Sequence, residues 1–158
     1  MSVSLKNLSD GFIVKIAQYR NYTLVILTRN EHCPPHVHVG DADWEARFKF
    51  SFWHDSICLW DVVPLQNIPK AALLEHLRQT LMKPANLRKA RQAWWLSRQT
   101  LCLDNLLWQP GTQEVVSPKD AKRGARRIVS ATFEATGYKT VLQMDGHMAN
   151  VEIEHDDD

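Results

Sequence analysis

The 158-residue chain predicts an α+β protein, in which an antiparallel N-terminal sheet with a helical hairpin is followed by a small C-terminal β unit. Three observations carry that expectation. Trp44, Ala46, Phe48, Phe50 and Phe52 alternate with Glu45, Arg47, Lys49 and Ser51, the period-2 pattern of a half-buried strand. Between Asn67 and Leu101 the apolar spacing becomes helical. From Ile128 onward, short β-branched runs return.

In order along the chain, "GFIVKIAQYRNYTLVILT" reads as two strands joined by a polar Tyr-Arg-Asn turn, and "HVHV" and "WEARFKFSFW" continue the sheet. Asn67 caps the first helix, Pro69 sits in its first turn, and Leu73, Leu74, Leu77 and Leu81 form its stripe. Pro84 stops that helix and opens a second, striped by Leu87, Ala90 and Trp94. "QPGTQEVVSPKDAKRGARR" mixes Pro, Gly, Ser and charge without periodicity and reads as a linker. Three short strands follow, the last two joined by Asp145-Gly146 as a two-residue hairpin turn. The resulting division is 1–108, an α+β domain; 109–126, a linker; and 127–158, a small β unit with an acidic tail.

A net charge of +1 provides no global field toward nucleic acid or membrane. No apolar run is long enough to span a bilayer, and the start carries no apolar signal region, so a cytoplasmic protein without a membrane partner is expected. Three cysteines at unrelated spacings, with no C-x-x-C pair, indicate neither a disulfide framework nor a Cys-rich zinc module.

The densest chemistry lies in "EHCPPHVHVGDADWEA". Pro34 and Pro35 stiffen the approach to a strand on which His36 and His38 share one face. Their Cα atoms then lie roughly 6.6 Å apart, close enough for both imidazoles to meet one ion. Placing Val39 beside Trp44 on the core face puts His38 opposite Glu45 and His36 opposite Arg47. On this register Val37, Val39, Trp44, Ala46 and Phe48 are buried, while His36, His38, Glu45 and Arg47 share a more accessible face. The metallic reading gives His32, His36 and His38 as ligands of a divalent ion such as zinc, nickel or manganese, with Glu45 as ligand or catalytic base. The bland reading makes the same side chains a polar hairpin face. A Cys33 nucleophile lacks an oxyanion hole and an orienting third group.

Two basic blocks offer a different chemistry. Arg88, Lys89 and Arg91 on the second helix, and Arg123, Arg126 and Arg127 in the proposed linker and its exit, can contact the phosphates of a nucleic acid. The second block can equally neutralise the acidic "EHDDD" end.

The residues Glu31, His32, Cys33, Pro34, Pro35, His36, Val37, His38 and Val39, then Gly40 and Glu45-Ala46, resemble the signature of the family called domain of unknown function 4160. Asn86, Ala90 and Trp94 match that family's later helix, so the resemblance runs from about Leu24 to Trp95. Glu31 and Cys33 depart from the family's usual residues. The C-terminal "RIVSATFEATGYKTVLQMDGHMANVEI" is more weakly similar to domain of unknown function 2442, commonly encoded beside the first family in toxin–antitoxin-like pairs. The two resemblances imply a fusion of neighbours, with the β unit docked on the first domain. They imply a binding or regulatory protein of toxin–antitoxin or mobile-element type that contacts nucleic acid or a protein partner. The histidine cluster supports the alternative, a metal-dependent hydrolase or nuclease.

Overall fold

The computed structural model describes residues 12–156. Two compact units divide the chain, the first running to Arg98 and the second comprising Gln99–Asp156. The α+β class holds: the first unit carries a five-stranded antiparallel sheet and two helices, the second a five-stranded antiparallel sheet.

In the first unit β1 (Ile13–Tyr19), β2 (Tyr22–Leu27), β3 (His36–Gly40), β4 (Glu45–Lys49) and β5 (Cys58–Val63) form a sheet in sequence order. α1 (Ala71–Met82) and α2 (Pro84–Arg98) follow as the expected hairpin. Pro84 occupies the first position of α2, where its missing N–H is no loss. Asn67 is not the cap of α1: Lys70 holds that position, and the Asn67 amide donates to the Asp43 carbonyl at 2.8 Å. Leu77 and Leu81 from α1, and Leu87, Ala90 and Trp94 from α2, are buried as their spacing predicts.

The β3–β4 hairpin fixes which side chains share a face. Val37, Val39, Trp44, Ala46, Phe48, Phe50 and Phe52 are all buried, as the alternation requires. The register is shifted by two from the expected one: His36 opposes Lys49, His38 opposes Arg47, Val39 opposes Ala46 and Gly40 opposes Glu45. The cause is the place of the turn, which falls one residue later, at Asp41–Trp44, closed by Asp41 N–H to the Trp44 carbonyl at 3.0 Å and braced by Asp43 N–H to Asp41 Oδ1 at 2.7 Å. A shift of two preserves parity, so every side chain keeps its face while its partner changes.

The second unit departs from the expected division. Its sheet runs β10-β9-β8-β6-β7, with β6 (Leu107–Gln109), β7 (Glu114–Val116), β8 (Arg126–Glu134), β9 (Lys139–Met144) and β10 (Val151–Glu154). The stretch 109–126 is therefore not a linker, because β7 lies within it and β6 pairs with both β7 and β8. Three-residue strands are too short to show a period. Asp145-Gly146 is not a two-residue turn either, since Leu142 pairs with Val151 and the loop extends to Asn150. Trp108, Phe133, Tyr138, Leu142 and Met144 are the buried core of this unit.

At Gly40 an added Cβ would lie 2.3 Å from the Trp44 carbonyl oxygen and 3.0 Å from the Glu45 Cα. Both atoms are backbone, so the hairpin itself must move. Gly40→Ala is expected to cost about 1–3 kcal/mol, read as a lower urea midpoint at unchanged slope.

Candidate metal centre

Glu31, His36 and His38 converge, with side chains from the segment before β3 and from β3 itself. Asn30 turns the chain at φ 58, a left-handed conformation that asparagine tolerates, immediately before Glu31. Pro34 and Pro35 then lead into β3; the Cys33–Pro34 peptide is cis, and Phe50 N–H bonds the Pro35 carbonyl at 3.1 Å. Glu31 Oε1 stands 2.7 Å from His38 Nε2, and Glu31 Oε2 stands 2.5 Å from His36 Nε2. The three donors lie within 4.8 Å of one another. All three residues are buried, at 7%, 1% and 3% exposure.

Hydrogen bonding determines where the protons sit. His36 Nδ1 is 2.8 Å from the Pro34 carbonyl oxygen, which can only accept, so Nδ1 carries a proton and donates it. In a neutral ring Nε2 then presents a lone pair. That atom is buried without an aligned hydrogen bond, although a carboxylate oxygen is 2.5 Å away. A lone pair facing a carboxylate is repulsive, so the position calls for a cation between or upon them, either a proton or a metal ion. An Nδ1–H bonded to a backbone carbonyl is also the outer support that orients metal-ligating histidines.

Glu31 is held as a carboxylate. Burial pushes its pKa up, but with a proton between the carboxylate and the imidazoles, the hydrogen bonds and charge of His36 and His38 outweigh burial and bring it down to about 2. A bulge shapes the surroundings: Asp61 opposes Arg47 and Leu59 opposes Phe48, leaving Trp60 as the extra residue of β5. Its ring meets His36 nearly edge-on at 5.1 Å, and Trp94 approaches the same imidazole at 5.5 Å. Arg47, though opposite His38, turns to Asp61, with Nε 2.7 Å from Oδ1, and lays its guanidinium over Trp60 at 4.0 Å. The Asp61 bond raises the Arg47 pKa, and the Arg47 bond lowers that of Asp61.

The sequence-derived ligand set therefore changes. His36 and His38 meet, but on a buried face and not the accessible one expected, because Glu31 and Trp60 pack against them. His32 is exposed, and its ring centroid is 6.4 Å from that of His36, outside the donor set. Glu45 is half-buried on β4 opposite Gly40 and Val63, also outside the donor set. Glu31 takes the carboxylate position. Its signal was sequence proximity to a proline-reversed H-x-H, which spacing on one strand does not reveal.

The basic residues separate by environment. Arg91 is fully buried: Nε donates to the Ser51 carbonyl at 2.9 Å, and Nη2 donates to the His54 carbonyl at 2.8 Å and to Asp55 at 2.9 Å. It organises the 51–55 turn and cannot meet a phosphate. Arg88 is half-buried, whereas Lys89, Arg123, Arg126 and Arg127 are exposed. Among the described residues no helix is long and apolar enough to cross a membrane.

With fold and site geometry in view, comparison with protein families, curated proteins and solved structures returned no match to this chain.

Two outcomes are expected. In metal-free protein, the depressed Glu31 pKa contributes stability that is full above about pH 4.5 and is lost as pH falls through 2. Urea unfolding in chelator should therefore show Glu31→Gln less pH-dependent than the parent between pH 5 and 2, by about 3 kcal/mol. Arg91→Ala should cost about 3 kcal/mol, because two backbone carbonyls lose a charged donor in a buried site; calorimetry reads this as a lowered Tm.

Proposed function

We propose that the chain is a metal-supported binding protein in which Glu31, His36 and His38 hold one divalent transition-metal ion that ties the segment before β3 to the sheet. The observation carrying this reading is His36 Nε2, buried, proton-free in the neutral ring, and aimed at a carboxylate without hydrogen-bond alignment. Two imidazoles and a carboxylate suit zinc, nickel, manganese or ferrous iron. Donor atoms around such an ion stand roughly 3.3 Å apart when bonds are about 2.0–2.1 Å, so loading requires a small outward turn of the Glu31 carboxylate.

Burial favours a structural ion over a hydrolytic one. A hydrolase needs a base within hydrogen-bond reach of the attacking water. Near this site Glu31 is a donor to the ion, Asp61 is engaged by Arg47, and Glu45 lies outside the donor set. The Pro-Pro-His-x-His segment, which resembles domain of unknown function 4160, is on this reading an ion-binding clasp. The binding role belongs to the surface that the clasp supports.

Metal analysis of protein purified without a polyhistidine tag should show close to one ion per chain. Adding zinc to the chelated protein should raise Tm, because a ligand bound only to the folded state stabilises it, by about 2.7 kcal/mol at a hundredfold excess over Kd. His36→Ala with His38→Ala should abolish both effects, and Glu31→Gln, which keeps the packing, should weaken them. Absence of metal together with a Tm indifferent to zinc and chelator would leave a protonated Glu-His-His network in place of the ion, and the proposal would fail.

A further inference from the structure

The second unit contains a cleft of about 560 Å³ lined by none of the residues of the metal centre. One wall is the segment leading to β6, the other is β8 from Arg127 to Ala131. Leu101 and Leu103 give it an apolar floor, at 2% and 9% exposure, while Asn105, Ser130 and Arg127 bring polar groups to its rim. Its size suits a ligand of one nucleotide unit.

Both walls depart from regular backbone. Gln99, Cys102 and Asn105 have φ of 54°, 63° and 64°, three left-handed non-glycine residues within seven positions. Such conformations persist where the surroundings dictate them, and they concentrate at ligand sites. β8 bulges at the same place: Ile128 opposes Met144 and Ser130 opposes Gln143, leaving Val129 unpaired and 44% exposed on the cleft. Bulges of this kind re-aim side chains beside binding sites.

Charge supplies the second observation. Lys119, Lys122, Arg123, Arg126 and Arg127 are exposed within nine positions, and none pairs with a carboxylate of the described residues. Arg47, Arg78, Arg91 and Lys139 each have an acidic partner, and the exposed Lys15, Lys70, Lys83 and Lys89, which have none among the described residues, are scattered through the other unit's sequence, so the density of this block sets it apart. Asp120, the one acid inside the basic stretch, accepts from Ser117 Oγ at 2.9 Å. The turn at Gly124, φ 91, closed by Ala125 N–H to the Lys122 carbonyl at 3.1 Å, presents Arg123 at its tip.

We propose that the second unit binds single-stranded nucleic acid without strong sequence preference, seating one nucleotide in this cleft and holding the flanking phosphates on these five exposed cations. A cleft with an apolar floor and amide and hydroxyl groups at its rim accommodates an unstacked base, which a duplex withholds. An anionic bilayer or an acidic protein face would use the cations but has nothing to place in the cleft. Asp104 on the rim works against phosphate there, which assigns the phosphates to the Arg127 side. This inference is independent of the metal reading.

The test uses the full chain and fluorescence anisotropy of a labelled mixed-sequence 15-nucleotide RNA, with single-stranded DNA, duplex DNA and phosphatidylserine vesicles as competitors, at 50 and 200 mM salt. Five phosphate contacts give a salt slope near −3.5, so affinity should fall roughly a hundredfold across that range. Arg123→Glu with Arg126→Glu should weaken binding more than tenfold and flatten the slope. Val129→Glu, which puts a carboxylate into the cleft at an exposed position, should weaken binding too. Each variant should melt as the parent does. Failure to bind at 50 mM salt overturns the proposal, as does binding unmoved by the charge reversals, or stronger competition by duplex or vesicles than by single strands.

Discussion

One carboxylate holds two imidazoles in the first unit, and the geometry around β3 follows from that contact. Glu31 precedes the proline pair, and its return to His36 and His38 draws the intervening loop against the sheet. Because the Pro34 carbonyl takes the proton of His36 Nδ1, the same loop also fixes which nitrogen faces Glu31. Loop path, tautomer and charge are thereby coupled: turning the imidazoles away would leave a buried carboxylate whose pKa burial alone would raise. A buried carboxylate is tolerable only while a compensating positive charge, a proton or a metal ion, sits between it and its partners.

Arg47 shows how the hairpin avoids a conflict in that arrangement. It sits opposite His38, where a free guanidinium would oppose any positive charge on the imidazoles. Asp61 draws it to the β5 side, and Trp60 covers its face. The cation is thus satisfied across the neighbouring strand and leaves Glu31 to the histidines. Arg91 represents the other use of a buried guanidinium, satisfying carbonyls of a turn that has no strand partner.

Much of the first unit was legible in the sequence, for a physical reason. Alternation from Trp44 to Phe52 and the leucine spacing of α1 report burial directly, so faces and helices could be assigned. Register could not, because it depends on the turn at Asp41–Trp44, and a slip of two leaves every apolar residue where it was; Glu45 consequently appeared to face His38. Glu31 escaped because loop direction is set by backbone conformations, such as that of Asn30, that carry no periodic signal. Arg91 stands at the spacing of Leu87, Ala90 and Trp94, so the helix pattern contained its burial, but a charged side chain at such a position is ordinarily assumed to face water. In the second unit the three-residue strands β6 and β7 lie below the length at which alternation can be recognised.

The Trp60 bulge has an effect on the opposite side of its strand. Among the described residues β5 is the last strand of its sheet, paired with β4 alone and exposing Leu59 and Val63 at 41% and 45%. A straight apolar strand in that position is a template onto which another chain can zip. The extra residue interrupts the even spacing of main-chain donors and acceptors and increases the local twist. An incoming strand would find its ladder broken at Trp60. The irregularity that brings an indole to His36 therefore also protects an open sheet edge from self-association.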